Sequence, residues 1–323
     1  MTPSRILLGI DAGGSSTKWE ARLEQAGPVL NDHALDVTGQ AGPLSAIHFL
    51  NPAARARAEH TLEEIVLEAI SLLDTGNGNG TTLTLVATIG LTGLSEGSSL
   101  KTEVENAFHS MSPIPIERLD IYNDVELAYR GCLTPGEGVV IYAGTGSIAV
   151  HLDKDETMHR AGGFGFLIDD AGGGYWLGRE ALAWFLRTVD TEGTTPKDPL
   201  ASALIEAMGH EHWPQIKEWV YEGGRERVAT LARVVIDAAP NSKAATLLVE
   251  RAARELIELA GRLQAARACS RWVFAGGLFR GDNAIRRAIF EACEAPKEIG
   301  FGPASFASAA VELARRGTQQ KTR

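Results

Sequence analysis

No run of lysine or arginine interrupts this chain, and acidic residues outnumber basic ones, 41 Asp and Glu against 31 Lys and Arg, a formal net charge of −10. That balance argues against nucleic acid as a main partner, because a polyanion is held by a basic patch or stripe. No apolar run reaches the roughly 18 residues of a membrane-spanning helix, and no membrane partner is expected. The opening stretch Arg5-Ile6-Leu7-Leu8-Gly9-Ile10 is too short for the apolar region of a secretory signal. Cysteine is scarce. Cys132, Cys269 and Cys293 have no metal-ligand spacing, which points to a reducing compartment and a cytoplasmic protein. A Walker-type loop, G-x-x-x-x-G-K-[ST] opening a helix, is also missing.

Glycine, by contrast, is plentiful: 35 of 323 residues, against an ordinary share of about 7%. The length predicts two domains of about 150 residues, and a hydrophobic content of 44% is enough for both to have cores. Two glycine turns recur in one setting. Ile6 to Ile10 reads as a strand, Asp11-Ala12-Gly13-Gly14-Ser15-Ser16-Thr17-Lys18 turns out of it, and Trp19 to Leu23 returns. In mid-chain, Thr134 to Gly138 is a turn, Val139 to Tyr142 a buried strand, and Gly144-Thr145-Gly146-Ser147 leads into a strand over Ile148 to Leu152. Each turn offers backbone N–H groups with little side chain in the way, which suits phosphate oxygens. Alone, a Gly-x-Gly-Ser segment is more often a plain hairpin turn; the repetition raises its weight. Asp11 at the end of the first strand could hold Mg²⁺ through water. Asp124 follows a short apolar segment, Leu119 to Tyr122, and opens a helix, where it could cap that helix or accept a hydroxyl proton in phosphoryl transfer.

The remaining elements follow from period and punctuation. Residues 39–45 read as a loop. Thr61-Leu62-Glu63-Glu64 is a capping box that opens a helix with Leu62, Ile65, Val66, Ala69, Ile70 and Leu73 on one side. Residues 74–81 read as a loop, and Thr82 to Ile89 as a strand with Leu83, Leu85, Ala87 and Ile89 alternating inward. Gly90-Leu91-Thr92-Gly93 lies at its end, where α/β proteins bind ligands. A helix is expected over Leu100 to His109, and a hairpin partner over Thr157 to Arg160. Residues 161–182 carry many glycines and the adjacent Asp169 and Asp170; the alternatives are a solvated loop or a sugar site, whose vicinal hydroxyls call for carboxylates and close backbone. Residues 183–268 are mostly helical, with His210-Glu211-His212 as a solvated turn. Arg271 to Ala275 is a strand ending in Gly276-Gly277, followed by helices over Asn283 to Cys293 and Ala307 to Ala314 and a polar tail from Gly317.

Asp-x-Gly-Gly-x-x-Thr after a first strand, with an Asp and Gly-Thr-Gly-Ser in mid-chain, resembles the actin-like ATPase fold of sugar kinases, hexokinase and actin. The stretch from Gly162 to Trp176 is similar to the Gly-Gly-x-Gly-x-x-x-Gly-Asp-Glu-Gly-Ser-x-Tyr-Trp pattern of N-acetylglucosamine kinases of the BadF/BadG type. Asp169, Ala171 and Gly173 depart from that pattern, where it has Gly, Glu and Ser. The resemblance implies an α/β fold of two actin-like (ribonuclease H-like) domains, residues 1–120 joined by a C-terminal helix at about 303–316, and residues 121–302, with a nucleotide and sugar cleft between them. It implies ATP and Mg²⁺, an amino sugar phosphorylated at its 6-hydroxyl, and a homodimer. By the same resemblance Asp124 is the general base. Gly13, Gly14, Ser15, Ser16, Thr17, Gly144, Thr145 and Gly146 hold phosphate, and Gly276 and Gly277 lie against the nucleoside. Thr92, Asp124, Ser147, Gly163, Phe164, Gly165 and Asp170 line the sugar, with Asp11 on the metal through water. Ile148 stands where a polar residue can touch the sugar.

Alternatives are a kinase for another hexose and an ATPase that activates a dehydratase through an iron–sulfur cluster. The latter needs cluster cysteines in a shared glycine loop, and none of the three cysteines sits in one. A sugar-responsive repressor needs an N-terminal DNA-binding helix pair, whereas the first strand here begins near residue 5.

Overall fold

The computed structural model describes residues 4–14, 16–24, 36–73, 83–95, 97–263, 269, 271–293 and 298–319. The chain divides into two compact units, Met1–Gly131 with Ser305–Arg323, and Cys132–Ala304. The expected boundary after residue 120 moves to Gly131, because the strand that ends at Asn123 pairs within the first sheet.

The first unit is built on five strands: β1 (Ser4–Ala12), β2 (Thr17–Glu24), β3 (Asp36–Ala41), β4 (Leu83–Leu91) and β5 (Ile116–Asn123), in the order β3-β2-β1-β4-β5. β1 and β2 form an antiparallel hairpin from Arg5↔Glu24 to Ala12↔Thr17, which leaves residues 13–16 as the turn. β4 and β5 run parallel to β1. Helices α1 (Pro52–Leu73) and α2 (Leu100–Met111) cover one face, where Leu62, Val66 and Phe108 meet Ile6, Leu8, Leu85, Ala87 and Ile89. Helix α9 (Ala307–Gln319) covers the other, where Val311 and Ala314 meet Leu7 and Val86.

Several expectations are corrected here. β4 is buried from Leu85 to Leu91 on both faces rather than alternately, since helices lie on either side of it. Residues 39–41 belong to β3, not to a loop; Gly39 pairs with Trp19, whose ring occupies the space a Cβ would take. α1 begins at Pro52, nine residues before the capping box. Asn51 Oδ1 accepts the Ala53 and Ala54 amides at 3.0 and 3.3 Å, and Pro52 suits the first helical position. The Thr61 hydroxyl instead donates to the Arg57 carbonyl in mid-helix. α9 runs on through residues 317–319, where a tail was expected. The loop expected at 74–81 lies outside the described residues.

The packing of α9 on β1 requires Gly9. A Cβ there would stand 2.2 Å from the Ala307 carbonyl oxygen and 2.6 Å from the Val311 nitrogen. Because helix backbone cannot yield, Gly9→Ala is expected to destabilise the first unit by about 1–3 kcal/mol, the usual cost of overpacking. Urea unfolding followed by circular dichroism measures this.

The second unit repeats the sheet pattern: β6 (Gly138–Ala143), β7 (Ser147–Leu152), β8 (Met158–Gly162), β9 (Arg271–Ala275) and β10 (Glu298–Phe301), in the order β10-β9-β6-β7-β8. Again a glycine-turned hairpin and a third antiparallel strand are followed by two parallel strands. The strand Glu298–Phe301 has no signal in the sequence, since four residues with one glycine carry no readable period. Helices α4 (Gly174–Glu192), α5 (Pro199–Met208), α6 (Trp213–Ala238), α7 (Lys243–Arg262) and α8 (Ala284–Ala292) build the core with this sheet. No helix among the described residues is long and apolar enough to cross a membrane.

Candidate functional site

In the first unit, Asp124 is the first residue of α3 (Asp124–Cys132), directly beyond the C-terminal end of β5. The side chain of Asn123 takes over part of the cap, its Oδ1 accepting the Val125 amide at 3.0 Å while its Nδ2 donates to the Leu94 carbonyl at 2.6 Å. The Val125 amide also donates to Asp124 Oδ1 at 3.0 Å. Leu127, one turn on, packs over Gly90, so that α3 lies close against the end of β4. From that strand end the Thr92 hydroxyl reaches the Asp124 carboxylate. Burial pushes the Asp124 carboxyl up, the Thr92 and Val125 hydrogen bonds oppose this, and the charge of Asp11 pushes it further up. Thr92, expected on the sugar, is thus engaged with the expected base.

Asp11 has a second task that was not anticipated. Its Oδ2 accepts the Ser305 hydroxyl at 3.0 Å and the Phe306 amide at 2.9 Å, where the chain enters α9. The partners lie 294 and 295 residues away, beyond any local signal. Asp11 and Asp124 repel one another, an arrangement that a hard divalent cation would relieve, and carboxylate oxygens are the ligands Mg²⁺ prefers. The residues present therefore fit the metal.

The two glycine turns are wired alike. In the first, the Gly13 amide donates to the Ser16 carbonyl at 3.1 Å and the Gly13 carbonyl accepts the Leu44 amide at 3.1 Å. In the second, the Gly144 amide donates to the Gly146 carbonyl at 3.0 Å. The carbonyls of Gly144 and Thr145 accept the Gly174 and Tyr175 amides at 2.8 and 2.9 Å. Carbonyls are tied back, while the amides of Gly14, Ser16, Thr145 and Gly146 have no backbone partner among the described residues. A turn with its acceptors consumed and its donors left over suits an anion. Thr17 is different: it is buried in β2, and its hydroxyl donates to the Gly42 carbonyl at 2.7 Å. Ser15 lies outside the described residues.

The glycine-rich stretch sorts its two carboxylates. Asp169 faces Arg262, with a contact of 3.0 Å. Asp170 is buried and adopts φ +58°, a left-handed conformation that Asp tolerates better than most residues. Its Oδ1 accepts the Gly165 amide at 3.2 Å, and the Ser147 amide also reaches its carboxylate. Burial pushes the Asp170 carboxyl up, and the Gly165 hydrogen bond opposes it. Gly146 lies against it; a Cβ there would stand 2.3 Å from Asp170 Oδ2. The Ser147 hydroxyl donates to the Ala171 carbonyl at 2.8 Å.

The glycines of this stretch divide between packing and open space. Cβ atoms at Gly173 and Gly174 would clash with Gly146 and Gly144, so these residues let α4 dock on the second turn. Gly163 faces Ile148, Gly165 faces open space, and Phe164 is exposed. At the end of β9, Gly276 sits against the Ala143 carbonyl and donates its amide to the Pro303 carbonyl at 3.1 Å, while Gly277 starts a short turn and faces open space. His210, Glu211 and His212 form an exposed link between α5 and α6. Burial pushes the Cys132 thiol up to about 12, which keeps it protonated and a poor metal ligand at neutral pH.

Within the first unit the fold thus gathers Asp11, Thr92 and Asp124. Within the second it gathers Gly146, Ser147, Gly165 and Asp170.

Known proteins resemble this chain in sequence and in fold. The model of the BadF/BadG/BcrA/BcrD ATPase family matches residues 8–297. An N-acetylmuramic acid/N-acetylglucosamine kinase of Clostridium acetobutylicum is 25% identical over 255 residues, 78% of this chain and 77% of that protein. An N-acetyl-D-glucosamine kinase of Dictyostelium discoideum is 26% identical over 220 residues, 67% of this chain and 65% of that protein. Among solved structures, that of a Chromobacterium violaceum protein described as a candidate N-acetylglucosamine kinase superposes with a TM-score of 0.69 at 21% identity, covering 96% of this chain and 99% of that one.

Proposed function

Because the chain belongs to the BadF/BadG/BcrA/BcrD ATPase family, we propose that it is an ATP-dependent kinase that phosphorylates the 6-hydroxyl of an amino sugar, N-acetylglucosamine or glucosamine. The observation that carries this reading is the Asp124 carboxyl. It is raised by burial, held by the Thr92 hydroxyl and carried by a unit that also presents a donor-rich glycine turn. The two kinase relatives support the substrate class.

In the reaction the sugar 6-oxygen forms a bond to the γ-phosphorus, the bond from that phosphorus to the ADP oxygen breaks, and the hydroxyl proton passes to Asp124. A carboxyl raised towards the working pH is the better base. Thr92 holds the carboxylate in orientation. The amides of Gly14, Ser16, Thr145 and Gly146 meet phosphate oxygens, and the backbone of Gly276 and Gly277 lies against the nucleoside. Asp170, fixed by the Gly165 and Ser147 amides, accepts hydrogen bonds from sugar hydroxyls beside Gly163 and Phe164. Asp11 would hold Mg²⁺ through water, and the ion would supply charge neutralisation at the phosphates. The family reading also carries a cytoplasmic homodimer, the second part of which sedimentation velocity tests.

An ADP-release assay over a panel of sugars tests the function. N-acetylglucosamine and glucosamine are expected to exceed glucose in kcat/KM, and Asp170→Ala to raise the sugar KM by about 10-fold or more, the cost of losing charged hydrogen bonds. If glucose is the best of the three, the amino-sugar reading is wrong while the kinase stands.

A further inference from the structure

Residues 44–46 cross from the first glycine turn to the strand end that carries Thr92. The Leu44 amide donates to the Gly13 carbonyl at 3.1 Å. Two residues on, the Ala46 amide donates to the Thr92 carbonyl at 2.9 Å, and the Ser45 hydroxyl donates to the same oxygen at 3.0 Å. The Thr92 amide in turn donates to the Ala12 carbonyl at 3.1 Å. Both backbone groups of Thr92 are therefore fixed, and its hydroxyl is left to meet Asp124. Leu44, Ser45 and Ala46 are all buried, so water does not compete for these bonds.

The Ser45 hydroxyl is spent in an unusual way. Ser45 directly precedes a 3₁₀ turn, Ala46–Leu50. A serine at the start of a helical turn ordinarily accepts one of the amides that follow. Among the described residues Ser45 makes no such cap bond. It gives its hydrogen to Thr92 instead, 47 residues along the chain. Nor is the Thr92 carbonyl short of a partner, since the Ala46 amide already serves it. What the second donor adds is direction. A carbonyl oxygen has two lone pairs, and with both engaged the peptide after Thr92 is held against rocking. The contact is close: Gly93 has φ +76°, and a Cβ there would stand 2.7 Å from Ser45 Oγ.

We propose that Ser45 is a positioning residue for the phosphoryl transfer: it fixes the Thr92 backbone so that the Thr92 hydroxyl keeps the Asp124 carboxylate in its reacting orientation. This rests on the reading of Asp124 as the base. Ser45 acts through Thr92, and its effect falls on the rate of the chemical step rather than on the binding of either substrate.

The test is a double-variant cycle in steady-state kinetics with ATP and the best sugar of the panel. Ser45→Ala is expected to lower kcat by about 5–50-fold with both KM values within about two-fold, between the loss of one hydrogen bond and a displacement of order 1 Å in the reacting geometry. Ser45→Thr keeps the hydroxyl and suits the extended backbone there, φ −146° and ψ 147°, so it should restore kcat. In Thr92→Val there is no hydroxyl to aim, and adding Ser45→Ala should cost little more. A merely structural serine would give the same loss in either background. Wild-type kcat in folded Ser45→Ala overturns the inference, as does a loss that persists undiminished beside Thr92→Val, or one that appears in KM alone. Asp124→Asn separates the two readings. If it turns over like the wild type, the base assignment falls and takes this inference with it. If Asp124→Asn is impaired and Ser45→Ala is not, only the role of Ser45 falls. Should thermal melting show that Ser45→Ala does not fold, Ser45→Cys replaces it in the same cycle, because a thiol fills the space and is only a weak donor.

Discussion

Asp124→Asn is expected to lower turnover by about 10²–10⁴-fold, the usual contribution of a positioned general base, while the sugar KM moves by no more than a few-fold. The substitution keeps the shape of the side chain and its reach to the Thr92 hydroxyl and the Val125 amide, so α3 should start as before. What it removes is the ability to take a proton. The pH profile separates this from a structural effect. Burial and Asp11 hold the Asp124 carboxyl above its ordinary value, so the wild type should lose kcat/KM with falling pH sooner than an ordinary aspartate would dictate. The direction is fixed: the base is active above its raised pKa and protonated below it. Thr92→Val removes a hydrogen bond that favours the ionised form and should move this limb to still higher pH. The Asn variant should lack the limb altogether. Near-wild-type turnover in Asp124→Asn would sink the assignment.

The second large effect separates two glycines that are two residues apart. A Cβ on Gly144 meets nothing within 4 Å, so Gly144→Val should fold normally and still place a branched side chain at the donor-rich turn. The KM for ATP is expected to rise by about 10–100-fold, as for other displacements of order 1 Å in a reacting geometry, with the sugar KM little changed. Gly146→Ala acts on the other ligand. Its Cβ would stand 2.3 Å from Asp170 Oδ2, so the carboxylate must move and the sugar KM should rise as well. An ATP response that is unaltered in folded Gly144→Val would mean that Gly144–Gly146 is only a hairpin turn. Sugar affinity that is unaltered in Gly146→Ala would detach Asp170 from the substrate.

Much of this architecture was legible in the sequence because its signals are local. The strands over Ile6–Ile10, Val139–Tyr142 and Arg271–Ala275 are short β-rich runs bounded by glycine, and two strand–turn–strand units with glycine at the bend are visible without coordinates. The motif Asp11–Thr17, Asp124, Gly144–Ser147 and the run to Trp176 sufficed to indicate the family. Where the local code is ambiguous the reading slipped. A capping box at Thr61 is a strong local pattern for a helix start, whereas Asn51 and Pro52 begin α1 nine residues earlier. The four residues of β10 exist as a strand only because β9 offers them a parallel edge to pair with.

The sequence by itself determined which residues could do the chemistry: a carboxylate at a helix start, hydroxyls and glycines in turns, two adjacent aspartates. Only the tertiary structure decided how they are used. Asp11 is tied to residues 294 and 295 positions away, at the entry to α9. Thr92 serves Asp124, and Asp169 goes to Arg262 while Asp170 turns inward. Gly173 and Gly174 serve docking, and Ser45 holds the Thr92 carbonyl. The physical reason is the range of the forces. Turn and strand preferences are set within a few residues, but a carboxylate's burial, its hydrogen-bond donors and the charges it feels are supplied by whichever distant segments the packing brings within a few ångströms.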